Sequence, residues 1–263
     1  TAASAGTSGG TVQIRSGSGA TSSGNVIVQT PDAGTMSSGY MILSTGASTS
    51  GNTGYLNLGS GSAKSGRGGS ITISVGTGDS GAGGSVTISA GLSSRSTGGA
   101  ITIQSGVASA ASGQVSGGIQ IQTATSSPHT GTIVMSTGVS TSGNSGSIYI
   151  GSGTATSGRS GSIFIGIGSS TSGNGGFIAL QAGASSALTG GQIALTSGVG
   201  SASSGLISLI TADAGSSGVS GYILLSTGAA TFGNSGSLGI YTGGASSGRG
   251  GGITITVGSG NSG

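Results

Sequence analysis

The chain has 263 residues, 63 of them Gly, with no Cys and only 3% charged side chains. That composition excludes an ordinary globular domain, a disulfide framework and a thiolate metal site. Six basic against three acidic residues are also too sparse for the basic stripe of a nucleic-acid binder, although the formal charge is +3.

Cysteine usage leaves the redox compartment open. No apolar run approaches the roughly 18 to 20 residues of a membrane span. No charged segment followed by an apolar core opens the chain, and its first residue, Thr1, reads as a processed form or a segment of a longer chain. Tracts this rich in Gly and Ser are usually linkers or disordered. Disordered chains, however, carry charge and avoid β-branched residues, whereas Val and Ile recur here throughout. Periodicity therefore decides.

In chain order the first predicted element is Val12-Gln13-Ile14, two aliphatic residues flanking an outward one. Val26-Ile27-Val28, Met41-Ile42-Leu43, Leu56-Asn57-Leu58, Ile71-Thr72-Ile73 and Val86-Thr87-Ile88 follow. Next come Ile101-Thr102-Ile103, Ile119-Gln120-Ile121, Ile133-Val134-Met135, Ile148-Tyr149-Ile150, Ile163-Phe164-Ile165 and Ile178-Ala179-Leu180. The series closes with Ile193-Ala194-Leu195, Ile207-Ser208-Leu209, Ile223-Leu224-Leu225, Leu238-Gly239-Ile240 and Ile253-Thr254-Ile255. These are 17 triplets, nearly all 15 residues apart. Alternation with period two is the pattern of a strand with one buried face.

Glycines keep the same register. Two residues before the first aliphatic residue of every triplet stands a Gly, from Gly10 through Gly161 to Gly251. Such a column predicts either a positive φ or a close approach between chain segments. Five residues after the same anchor a second Gly column runs from Gly17 to Gly258, broken at Pro31, Ala124 and Ala212. Seven residues after it stands a small residue, as at Ser48, Ala63, Ala108, Ala155, Ser185 and Ala245.

These columns predict an all-β fold: a thin parallel β-solenoid of about 15 residues per coil, 17 coils in all. An aliphatic wall would face a small-residue wall, and each coil would hydrogen-bond to the next. The alternative is a stack of antiparallel hairpins. The solenoid is favoured because parallel coils place each column on itself, whereas a meander reverses every second strand. The expected domain organisation is one continuous solenoid over 1–263, a window on a longer chain.

A longer period overlies the first. "STGASTSGNTG" from Ser44, "STGVSTSGNSG" from Ser136 and "STGAATFGNSG" from Ser226 recur at 92 and 90 residues, each followed by an arginine turn holding Arg67, Arg159 or Arg249. Six coils thus form a super-repeat of about 91 residues, and the breaks at Pro31, Ala124 and Ala212 occur once in each. At about 4.8 Å per coil the super-repeat would rise roughly 29 Å. The arginines are read as register marks in preference to anion sites.

Catalytic chemistry has little material. The acids are Asp32, Asp79 and Asp213, and the one imidazole, His129, follows Pro128 in the coil after the one lengthened to 18 residues. Neither a carboxylate pair nor a Ser-His-Asp arrangement is supported. Calcium-binding nonapeptide repeats need an Asp in each repeat, and a phosphate loop needs a Gly-Lys-Ser/Thr ending before a helix. No catalytic residue, cofactor or metal is expected, and the chain reads as a non-enzyme.

The outward column is the informative surface. It holds Ile42, Tyr149, Phe164 and Leu224, with Phe177 and Tyr222 beside it, as well as Tyr40, Tyr55 and Tyr241. A near-continuous apolar column on so weakly charged a chain predicts a surface meant to be covered.

With 15-residue coils rich in Gly, Ser and Thr, the pattern resembles insect β-solenoid antifreeze proteins and, more loosely, the repetitive passenger regions of secreted adhesins and surface fibres. Thr72, Thr87 and Thr102 form a short Thr run, and Phe164 stands one super-repeat after Thr72. The expected function is a structural subunit of an extracellular filament or cell-surface fibre that self-associates through the outer face of its aliphatic sheet. The partners would be copies of the chain and, additionally, surface glycans. The alternative is binding to ice or to a carbohydrate surface.

Overall fold

The computed structural model describes residues 9–108, 115–127 and 129–260. The chain divides into two units, Thr1–Ile133 and Val134–Gly263. Among the described residues there is neither helix nor strand. The expectation of an all-β parallel solenoid is overturned.

The missing feature is the ladder between coils. Stacked coils need backbone bonds between residues about 15 apart, but among the described residues the backbone bonds are short-range: the widest joins Gly117 N–H to the Gly106 carbonyl. The physical reason lies in the ratio of apolar to ordered chain. Two aliphatic side chains per repeat are little burial to set against fixing a whole Gly-rich coil, whose backbone loses the most entropy on ordering. The opposing wall of Ser, Ala and Gly has too little surface to cover them. No described residue is buried, and the surface of the chain is 26057 Å². A compact monomer of this mass would expose about 10,000 Å² and an unfolded one about 35,000 Å².

The 15-residue period nevertheless reappears, as bends. Residues 49–51, 64–66, 79–81 and 94–96 bend in the first unit, and 141–143, 156–158, 171–173 and 186–188 in the second. Between bends each triplet runs as an irregular segment with two distinguishable sides. Ile148 is 50% exposed, Tyr149 93% and Ile150 67%. Residues two apart share a side: the Gln120 side-chain amide donates to the Gln122 oxygen, and the Tyr241 ring lies over Gly239. Ile163 is half exposed, so Ile163→Asp would bury no carboxylate within the isolated chain.

Each repeat closes on itself locally. The residue four places after the anchor meets the column glycine that opens the next repeat. A side chain placed on that glycine would lie 3.3 Å from Thr30 at Gly39, from Ser60 at Gly69 and from Ser152 at Gly161. A contact with the corresponding residue, between 2.6 and 3.7 Å, recurs at every column glycine from Gly24 to Gly251 and is tightest at Gly84 and Gly176. In several loops whose closing residue is Ser or Ala the backbone itself also closes the loop: Gly24 N–H donates to the Gly17 carbonyl at 2.9 Å, Gly99 to Gly91 at 2.9 Å and Gly191 to Gly183 at 2.8 Å. At Pro31 and Ala212, which interrupt the second Gly column, the preceding threonine makes a side-chain bond across the loop. Thr30 Oγ1 donates to the Gly39 carbonyl and Thr211 Oγ1 to that of Gly221, both at 3.3 Å.

The glycine column is therefore set by close approach and not by φ. Positive φ occurs three residues earlier, at Gly51 (+119°), Gly143 (+112°) and Gly158 (+122°), the last residue of each bend. No column glycine shares it. At these bends the left-handed residue helps reverse the chain, whereas the bends at 64–66, 94–96 and 186–188 turn without one.

The small residue seven after the anchor also has another role than the expected wall. At two repeats its hydroxyl holds the bend: Ser185 Oγ accepts from Leu188 N–H at 2.9 Å and Ser93 Oγ from Ser96 N–H at 3.0 Å. Short hydroxyl-bearing side chains make such turns locally.

Candidate functional site

Two sets of residues were singled out by sequence, the apolar assembly face and the arginine register marks. All of the face is exposed: in the first unit Ile42, in the second Tyr149, Phe164, Phe177, Tyr222 and Leu224. The rings are the most open, with Phe164 at 93%. They sit there because the triplet alternates. The anchors lean toward the loop closure, so the intervening residue faces away from the chain's own atoms.

The structure brings none of these rings against another. Tyr149 and Phe164 lie in successive repeats, each separated from the next by a closed loop of small residues. As a surface they offer stacking area and, from the tyrosines, phenolic hydroxyls at the edge. Rings in this setting bind by being covered.

The arginines lie at loop tips. Arg159 directly follows Gly158, whose positive φ ends the bend, and Arg67 directly follows the bend at 64–66. All three guanidinium side chains are exposed. Asp32, Asp79, Asp213 and His129 are likewise exposed and lie in separate repeats. Pro128 lies outside the described residues. Among the described residues there is no cavity, no group of three His, Cys, Asp or Glu able to hold a metal ion, and no helix long and apolar enough to cross a membrane.

The sequence reading missed the closing position. The only described residues that are not exposed are Ser16, Ser105, Thr123, Ala182, Ser197 and Thr211, half-buried, and each is the fourth residue after an anchor. A signal for it is present in the sequence. Down the chain this position reads Ser16, Thr30, Thr45, Ser60, Val75, Ala90, then Ser105, Thr123, Thr137, Ser152, Ile167, Ala182, then Ser197, Thr211, Thr227, Thr242, Val257. The six-repeat period is clearer here than in any other column. It is easily overlooked, because Ser and Thr are common everywhere in the chain and only their order is informative.

The hydroxyls in this column have a measurable share in closure. Thr45 Oγ1 donates to the Gly54 carbonyl at 3.3 Å. Thr45→Val keeps the shape and the methyl contact but removes the bond. It should weaken that loop by about 0.5 to 1 kcal/mol, read as faster hydrogen exchange within residues 45–54 and unchanged exchange in residues 60–69.

No family model, curated protein or solved structure matches the chain.

Proposed function

We propose that the chain is a non-catalytic structural subunit of an extracellular filament or cell-surface fibre, which self-associates through the apolar residues of its triplets. The observation that carries this reading is the exposure of every triplet. A chain with aliphatic or aromatic residues at 17 regular positions and no buried residue among those described has its hydrophobic driving force unspent. Copies of the same chain present the same spacing and so can cover it. Scarce charge removes the repulsion and the Lys and Glu gatekeepers that keep exposed apolar segments apart.

In such an assembly Ile42, Tyr149, Phe164, Phe177, Tyr222 and Leu224 meet the neighbouring copy, and the Ser/Thr-rich loops face solvent or surface sugars. Arg67, Arg159 and Arg249 recur at every sixth repeat on exposed loops.

Sedimentation and electron microscopy of the chain at rising concentration test the reading. Extended assemblies should appear above a threshold concentration, with Tyr149 and Phe164 losing most of their exposure. Because burial and not charge drives association, the threshold should shift by less than about threefold between about 0.05 and 0.5 M NaCl. A chain that stays monomeric with both rings solvated at every concentration removes the assembly reading. Thermal hysteresis or retention on a glycan matrix in that monomer would put surface binding in its place.

A further inference from the structure

If neighbours associate through the aliphatic anchors of the triplets alone, any shift by one repeat, about 15 residues, is as good as any other. The arginines cannot choose among these shifts by attraction, since a shift of six repeats sets guanidinium opposite guanidinium. The closing position can. Among the described residues it is aliphatic and larger than Ala only at Val75, Ile167 and Val257, once in each super-repeat and in the repeat that follows each arginine turn. Val75 and Ile167 pack one side against Gly84 and Gly176, where an added side chain would come within 2.6 and 2.8 Å of them. They remain about half exposed, at 46% and 53%, and Val257 is almost fully exposed. The Ser, Thr and Ala residues of the same column offer at most a methyl group.

We propose that Val75, Ile167 and Val257 fix the stagger of parallel neighbouring copies, so that chains pair in register or shifted by whole super-repeats of 90 to 92 residues and not by single repeats. The inference rests on the assembly reading above. The occupant is a second copy of this chain, for two reasons. Only a copy carries an aliphatic residue at the same interval in the same column. The surface left open, 26057 Å² against about 10,000 Å² for a compact monomer, also far exceeds what one ordinary partner covers, about 800 Å². A shift of six repeats sets Val75 opposite Ile167 and Ile167 opposite Val257. A shift of one sets Val75 opposite Ser60 or Ala90, leaving hydroxyls against methyls.

Disulfide trapping reads the stagger directly, because the chain has no cysteine of its own. Ser70, Ser85 and Ser162 occupy equivalent exposed positions just before their anchors. Single variants Ser70→Cys, Ser85→Cys and Ser162→Cys, isotopically distinguished, are mixed in pairs and assembled before oxidation. The register yield, the larger of the disulfide between isotopically distinguished copies of Ser70→Cys and the mixed disulfide of Ser70→Cys with Ser162→Cys, six repeats apart, should exceed the yield of Ser70→Cys with Ser85→Cys, one repeat apart, by at least tenfold. In chains also carrying Val75→Ser, Ile167→Ser and Val257→Ser the two yields should fall within twofold of each other.

A preference below tenfold in the otherwise native chain, or a preference that survives the three serine substitutions, overturns the register assignment while assembly stands. Chains that remain monomeric and form no disulfide remove the assembly reading and this inference with it.

Discussion

Gly84→Val and Gly176→Val should each open the loop that precedes them, whereas Gly153→Val should leave its repeat unchanged. A side chain on Gly84 would lie 2.6 Å from the Val75 Cγ1 atom, and one on Gly176 2.8 Å from Ile167 Cγ2. Both partners are β-branched and stiff at χ1, so neither can turn aside without leaving its rotamer. Overpacking of this kind costs about 1 to 3 kcal/mol, and no described backbone hydrogen bond closes either loop in compensation. Gly153 has nothing within 4 Å and no positive φ, so the same substitution there tests the loss of Gly by itself. The measurement is the nuclear Overhauser contact between the Val75 methyls and the Gly84 α-protons. It should be present in the native chain and in Gly153→Val, and residue 84 should lose it on substitution. Retention of the contact in Gly84→Val would show that the column tolerates bulk.

Lysine placed on two neighbouring rings should have the largest effect on association. Tyr149→Lys with Phe164→Lys removes two apolar surfaces and sets two ammonium groups on the face that copies must cover. Each lost ring forfeits about 1.5 to 3 kcal/mol of burial, and lysine on an exposed segment opposes pairing. The threshold concentration for assembly should rise at least about tenfold, since 1.36 kcal/mol is already tenfold. Thr154→Lys with Ser169→Lys adds the same charge in adjacent exposed loops and should change the threshold by less than about threefold. Equal effects from the two pairs, measured by sedimentation, would assign the change to net charge and remove the rings from the interface.

Much of the local order was legible in the residues. The 15-residue period, the distinct sides of each triplet and the thinness required at the Gly column all follow from which residue types recur and where. Ile148-Tyr149-Ile150 already separates a leaning pair from an outward ring, because successive side chains of an extended segment point to opposite sides. The exposed apolar residues were equally readable, since aromatic residues at Tyr149, Phe164 and Phe177 stand out in a chain with so few. What the residues did not reveal was which neighbour each column touches. A Gly column is compatible with positive φ or with close approach, and only the placement of Ser152 against Gly161 chose the second.

The same limit explains the solenoid. Periodicity in sequence is shared by a chain whose repeats stack on one another and by one whose repeats each close on themselves, because both set like residues at like intervals. The choice depends on whether the apolar area per repeat can hold coils together. That is a sum over contacts between distant residues, and no single column displays it. Sequence by itself determined the rhythm of this protein, its two nested repeats and the residues that carry its apolar surface, since these are properties of residue order. Only the tertiary structure decided that closure runs from the fourth residue after each anchor to the next column glycine. It also decided that Ile and Val remain open, because the bonds that form span at most one loop and leave nothing to cover them.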